Sequence, residues 1–138
     1  MQSIAVDTGP LVALFDRSDR NYDAALHFFR STDADFVANV AVLTEASYLL
    51  SFSSAAVRDA LEWVAAAFEI DQQTGSDLRR IVEIMAKYTD LPADFADASL
   101  IAMCERRGIT RITTLDKDFD VYQLATGDRL RNVFRDAG

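Results

Sequence analysis

The chain has 138 residues, half of them hydrophobic, with 22 acidic against 14 basic side chains and a net charge of −8. That length suits one domain spanning residues 1–138, and the charge opposes non-specific attraction to nucleic acid by phosphate neutralisation. No apolar run reaches the length of a membrane span, the first residues lack the basic start and apolar middle of a signal peptide, and the one cysteine, Cys104, excludes an intramolecular disulfide. The expectation is a cytoplasmic protein with no membrane association. A nucleic-acid substrate stays open, because bound divalent cations reverse a local negative charge.

The chain opens on Ile4-Ala5-Val6-Asp7-Thr8-Gly9-Pro10, a short apolar run closed by turn residues, which suits a buried strand. An acid just past the carboxyl end of a parallel strand stands where α/β proteins place their ligands. Asp is also a good helix N-cap, and Asp7 admits either role. Residues 11–15 read as a short helix with Pro10 in its first turn. Residues 16–21 read as a loop, and 22–30 as a second helix with Ala25, Leu26 and Phe29 on one face. His27, the sole histidine, has no partner for a metal pair and reads as a packing or surface residue. Phe36-Val37-Ala38 is a short strand, followed by a helix over residues 40–50. Ser53 or Ser54 caps the next helix, which runs to about Phe68, and residues 68–70 form a brief strand.

Thr74-Gly75-Ser76-Asp77 has capping-box spacing. Leu78, Ile81, Val82 and Met85 recur at i, i+3, i+4 and i+7, the cleanest amphipathic stripe in the chain, and are expected to face the core. Pro92 opens a further helix through Cys104, a small packing residue, to Arg107. Gly108 follows as its C′ residue. Residues 109–115, rich in Ile and Thr, read as a strand ending on Asp116. Residues 121–124 and 132–134 read as small closing strands around Thr126-Gly127-Asp128, and the polar last residues are expected to fray. Short strands alternating with helices give the α/β class, a mainly parallel, short-stranded sheet flanked by helices.

Four acids stand out by position. Asp7 and Asp116 each follow a strand, and in a parallel sheet both carboxyl ends face the same edge. Glu45 lies in the otherwise apolar run Val42-Leu43-Thr44-Glu45-Ala46-Ser47-Tyr48-Leu49-Leu50, and Asp97 in Phe95-Ala96-Asp97-Ala98-Ser99-Leu100-Ile101-Ala102. An unpaired buried carboxylate is costly, and a metal is one way to compensate it. An oxygen-rich, histidine-free set of this kind suits Mg²⁺ or Mn²⁺. Each acid keeps a plainer alternative. Glu45 can face solvent, and Asp97 can be a first-turn acid favoured by the helix dipole, a role that Asp94 fits better. Asp118 and Asp120 can be solvated or capping acids in a polar turn.

Val6-Asp7-Thr8-Gly9-Pro10-Leu11, Leu43-Thr44-Glu45-Ala46, Ala96-Asp97-Ala98-Ser99-Leu100-Ile101-Ala102 and Thr113-Thr114-Leu115-Asp116-Lys117-Asp118-Phe119 follow one another in this order. Together they resemble a PIN domain of the VapC toxin type, over nearly the whole chain. The resemblance implies a three-layer PIN-like fold and a metal-dependent endoribonuclease acting on RNA, the toxin of a toxin–antitoxin pair. It carries an acidic quartet onto Asp7, Glu45, Asp97 and Asp116 as catalytic, metal-binding residues. Asp118 matches a further acid near the last motif, in competition with Asp120, and Asp94 matches an acid seen in part of the family. An antitoxin protein and a homodimer are implied as well.

On that reading Asp7, Asp97 and Asp116 hold Mg²⁺ or Mn²⁺, and Glu45 binds the metal or holds the attacking water. Thr8 or Thr114 orients a carboxylate or a phosphate oxygen. RNA phosphates fall to Lys117, beside Asp116, or to Arg17, Arg20, Arg106, Arg107, Arg111, Arg129 or Arg131. No aromatic platform for a base stands out. Phe28, Tyr48, Leu49, Phe52 and Trp63 line either a partner contact or the core. A haloacid-dehalogenase-like phosphatase needs a second acid two residues after Asp7, where Gly9 stands. A receiver domain needs an acidic pair near the first strand, and no glycine-rich phosphate loop is present. A stand-alone PIN nuclease in RNA processing shares the same acids. A non-catalytic PIN-like interaction module is the alternative of another class.

Overall fold

In the computed structural model, which describes residues 1–91 and 93–134, five strands form one sheet. They are β1 (Ser3–Val6), β2 (Asp35–Asn39), β3 (Phe68–Asp71), β4 (Arg111–Thr113) and β5 (Arg131–Asn132), in the order β3-β2-β1-β4-β5. Every pairing is parallel, with Ile4 opposite Phe36, Val6 opposite Thr113 and Asn39 opposite Asp71. All strand carboxyl ends therefore open on one edge, and the segments leaving them bring their side chains there.

Strand alternation builds the layers. Ala5, Val37 and Ile112 face one side of the sheet and meet Ile81 and Ile84 of α5 (Leu78–Lys87) and Leu100 and Met103 of α6 (Phe95–Arg107). Ile4, Val6 and Phe36 face the other side. There they meet Leu11 of α1 (Thr8–Leu14), Phe28 of α2 (Tyr22–Ser31) and Val64 of α4 (Ser54–Ala67). Full burial of a side chain such as Phe28 contributes roughly 2–3 kcal/mol. Helix α3 (Val40–Leu49) places Val42 in the first core and Ala46 in the second, so it bridges the layers at the sheet edge. This is the expected three-layer α/β arrangement.

Several expectations change. The stripe on α5 does not face the core as a whole: Ile81 and Ile84 are buried, but Val82 is 65% exposed and Leu78 and Met85 are also open. Helix α5 packs chiefly on α6 and turns only Ile81 and Ile84 into the core beside the sheet, so a narrow seam of it is covered. Thr74–Asp77 forms a 3-10 turn without a capping box, because the Asp77 carboxylate turns to Arg106 instead. Helix α1 starts at Thr8, three residues before the expected start, since Asp7 caps it and the missing Pro10 N–H falls among donors that have no helical partner.

Strand β4 stops at Thr113, residues 121–124 contribute one antiparallel bridge, Gln123 with Arg129, and β5 ends at Asn132. Ser53 caps α4, with its Oγ accepting from Ala56 N at 3.2 Å. Gly108 ends α6 at φ 69° as expected. Pro92, the expected start of that helix, and the terminal residues 135–138 lie outside the described residues. Cys104 is buried, and burial pushes its thiol up to about 12, which leaves it inert at neutral pH. Phe28 belongs to the core and Trp63 packs edge-on against Phe29 and Phe68. Tyr48, Leu49 and Phe52 are exposed. Among the described residues no helix is long and apolar enough to cross a membrane.

Candidate active site

Asp7 ends β1, and both readings of it hold at once. Its Oδ1 accepts from Thr8 N at 2.8 Å and caps α1. Its Oδ2 accepts from Thr114 Oγ1 at 2.6 Å, just beyond β4. The same Thr114 hydroxyl accepts from Asp116 N at 2.9 Å. One buried hydroxyl therefore ties the ends of two adjacent strands and orients the two acids that follow them. Asp116 Oδ1 accepts from Asp118 N at 2.9 Å, which starts the 3-10 turn Lys117–Asp120. Gly9 lets these segments come together, because a Cβ there would stand 3.2 Å from Leu115 Cβ.

A second buried bond brings in the helices. Asn39, at the end of β2, accepts from Val42 N at 3.0 Å and so caps α3. Its Nδ2 donates to Ser99 Oγ at 3.1 Å, and Ser99 Oγ donates to Ala96 O at 2.7 Å. The helix with Glu45 and the helix with Asp97 are thus pinned to one strand end. Asp94 caps α6 by accepting from Asp97 N at 2.8 Å, as its position suggests, and Asp97 follows in the first turn.

The electrostatics record which acids meet. Burial lifts Asp7 to about 6, against the hydrogen bonds from Thr114 and Thr8 N and with the charges of Asp116 and Glu45 adding to the rise. Burial and then the charges of Asp7, Asp94, Asp116 and Glu45 lift Asp97 to about 8. Glu45 does not face open solvent. Burial raises its pKa, the nearby Thr8 hydroxyl draws it down, and Asp94 and Asp116 push it up. Asp118 is raised by burial and by Asp116. None of the four principal acids forms an ion pair with a Lys or Arg among the described residues. No three of the described carboxylates stand close enough together to grip one ion in these positions.

Among the described residues three buried hydroxyls, Thr8 Oγ1, Thr113 Oγ1 and Tyr122 OH, lack a hydrogen bond of full geometry. Tyr122 feels the charges of Asp97, Asp118, Asp116 and Asp94, which places it beside the acids, although no local motif marks it. Carboxylates and hydroxyls with no His or Cys form a donor set suited to hard divalent cations.

The proposed phosphate-binding bases divide. Lys117 is exposed next to Asp116. Arg106 and Arg107 are already engaged. Arg106 Nη1 and Nη2 reach Asp71 at 2.9 and 2.8 Å, and its Nε and Nη2 reach Asp77 at 3.0 and 2.9 Å. Arg107 Nε meets Asp71 at 2.6 Å and its Nη1 meets Glu69 at 3.1 Å. Arg111 starts β4 opposite Arg131, so both belong to the other edge of the sheet.

The PIN domain family model matches residues 4–124. The Sarcin-Ricin loop cleaving toxin VapC20 of Mycobacterium tuberculosis superposes with a TM-score of 0.79 at 23% identity, covering 91% of this chain and 98% of that one. A chain of Rickettsia felis VapBC2, in its structure with a DNA fragment from its promoter, gives a TM-score of 0.62 at 15% identity, with 88% and 93% covered. At these identities the likeness is one of fold. No match is found among curated proteins. The matched span runs from β1 past Asp116 and takes in every principal acid, and on it the chain belongs to the PIN domain family.

Proposed function

We propose that this protein is a metal-dependent endoribonuclease that hydrolyses RNA phosphodiester bonds in the cytoplasm, as the toxin of a toxin–antitoxin pair. The observation that carries this reading is the gathering of Asp7, Glu45, Asp97 and Asp116 at one sheet edge with no Lys or Arg of the described residues in an ion pair with them. Like charges held together in a partly buried place raise one another's pKa and weaken the fold. A divalent cation offsets that cost. PIN nucleases generally use divalent metal ions, and the all-oxygen donors beside the Thr8 hydroxyl suit Mg²⁺ or Mn²⁺.

When bound, such an ion stabilises charge on the phosphate and makes water a better nucleophile. Asp7, Asp97 and Asp116 are the residues assigned to hold it. Asp7 is oriented for that by Thr8 N and Thr114 Oγ1, and each of its oxygens keeps a further lone pair. Glu45, with its raised pKa, is assigned to take the proton of the attacking water. Asp94 and Asp118 act at the margin, through their charge on Glu45, Asp97 and Asp116. Lys117 is the assigned phosphate contact. The fold shared with VapC20, a Sarcin-Ricin loop cleaving toxin, supports RNA as the substrate. The fold shared with VapBC2 supports an antitoxin partner. A homodimer goes with the same resemblance.

The test is cleavage of structured and single-stranded RNAs by purified protein in Mg²⁺, Mn²⁺ or EDTA, beside Asp97→Asn. Cleavage is expected only with metal, and is expected to fall at least about a hundredfold in the variant. No cleavage together with no metal binding would replace the enzyme by the interaction module.

A further inference from the structure

We propose that the cavity beside the acid cluster seats an unpaired nucleobase of the RNA, stacked on Tyr48 and Phe95, next to the phosphate that is cut. The proposal rests on the ribonuclease reading above and adds the part of the substrate that reading leaves open. The cavity has a volume of about 610 Å³ and lies between α3 and the start of α6. Val40, Thr44 and Tyr48 follow one another at i, i+4 and i+8 along one edge of α3, and Phe95 closes the cavity from α6. Ala41, Thr74 and Ala96 also line it, and Glu45 and Asp94 stand in its wall, so the cavity and the acid cluster share side chains.

The apolar side chains here are open to water: Val40 is 61%, Tyr48 72% and Phe95 44% exposed. Among the described residues neither Tyr48 nor Phe95 packs against another ring, whereas Phe28, Phe29, Phe36, Trp63 and Phe68 are packed ring on ring. Two free aromatic faces at a cavity of this size match a flat, uncharged molecule. A nucleotide has two unlike halves, and the site has the same two. The acidic wall repels phosphate unless a cation intervenes, but it does not repel a neutral base. The base therefore takes the aromatic end and the phosphate the acidic end.

Stacking accepts any base, because every base has a π-face. Thr44 Oγ1 donates to Val40 O at 2.8 Å and keeps lone pairs that can accept from a base edge. A base inside a duplex offers no free face, so the preference is for unpaired RNA. No such platform shows in the sequence, because Tyr48 and Phe95 come from separate helices.

The test takes a single-stranded RNA that the full-length wild-type protein cleaves with Mn²⁺, and the same RNA with one base at a time replaced by an abasic site. kcat and KM are measured for wild type, Tyr48→Ala, Tyr48→Phe and Phe95→Leu, after melting curves confirm that each is folded. Tyr48→Ala and Phe95→Leu are expected to lower kcat/KM about tenfold, mainly through KM, with Tyr48→Phe close to wild type. One abasic position is expected to cost the wild type a similar factor, and on that RNA Tyr48→Ala should cost nothing further. Equal kcat/KM for Tyr48→Ala and wild type would overturn the base site. So would a Tyr48→Ala loss that persists undiminished on every abasic RNA, or one explained by a dimer falling to monomer. If the wild type cleaves no RNA, the ribonuclease reading falls and takes the base site with it. If it cleaves and the Tyr48 variants do not differ from it, the base site alone falls.

Discussion

Asp7 and Asp71 each stand at the carboxyl end of a parallel strand, and both are nearly out of water, at 5% and 1% exposure. Their surroundings push them in opposite directions. Burial works to raise Asp71, but hydrogen bonds from Arg106, Arg107 and Gln73 N overcome it and hold its carboxyl well below the usual range. Around Asp7 the other charges are those of Asp116 and Glu45, and its pKa rises to about 6. At Asp71 the chain supplies its own cations and the charges are balanced within the fold. At Asp7 the described residues supply more acids and no paired cation. Buried carboxylates occur in both places, and what differs among the described residues is the counter-charge, which is the feature the proposed metal site rests on.

Breaking the closed side should have the larger effect. Asp71→Asn leaves two guanidinium groups without their shared carboxylate, and breaking a buried ion pair from one side costs about 3 kcal/mol. Urea unfolding should show that loss equally in EDTA and in Mn²⁺. Because the native pKa of Asp71 is depressed, its contribution is present above the unfolded value near 3.8 and is lost only as pH falls through the lower folded value. The loss in Asp71→Asn should therefore be constant between pH 5 and pH 8. A loss that disappears in Mn²⁺ would place Asp71 with the open acids instead.

The open side should respond with the other sign. Asp7 and Asp97 are lifted from 3.8 to about 6 and about 8, so between these values the folded protein holds protons that the unfolded chain has released. Stability in EDTA should then fall as pH rises from about 4 to about 8. Asp97→Asn removes the upper part of that fall. It should be more stable than wild type at pH 8 in EDTA by roughly 1 kcal/mol, a figure kept small because Asp97 is only partly buried and solvent screens it. By calorimetry that is a rise of about 3 °C. Mn²⁺ should raise the melting temperature of the wild type more than that of the variant. A variant that melts lower at pH 8 in EDTA would mean that Asp97 is held by something other than mutual repulsion.

The acids were legible in the sequence because each sits in a short local pattern, an acid after an apolar run or inside one. Their order along the chain then carried the fold. What was not legible depends on partners far away in the chain. Arg106 and Arg107 look like spare bases at a helix end until Asp71 arrives on β3 in register with Asn39. Leu78, Val82 and Met85 keep the period of a core stripe, but period shows only that a helix has an apolar face. It does not say how much of that face the rest of the fold will cover, and here Ile81 and Ile84 are covered while Leu78, Val82 and Met85 stay open. Glu45 was ambiguous for the same reason, and what settles it is Asn39 capping α3 while also holding Ser99 on α6.

Thr114 is the open side's partial substitute for a cation, and replacing it gives the smallest and most conditional change. Thr114→Val keeps the shape and removes the hydroxyl, so Asp7 Oδ2 loses its donor and Asp116 N–H its acceptor. The bond to Asp7 lowers that acid's pKa, so the variant should raise it further above about 6. The lost bond is strongest to an ionised carboxylate. At pH 8, where Asp7 is charged, the cost should be about 1 kcal/mol, and at pH 5, where Asp7 is largely protonated, about half of that. Thr114→Ser, which keeps the donor, should restore most of the difference. The pH dependence separates orientation of the acid from packing, because a methyl lost or gained in the core costs the same at both pH values. If Thr114→Val is equally destabilised at pH 5 and pH 8, the hydroxyl serves Asp116 N–H alone and Asp7 is held in place by Thr8.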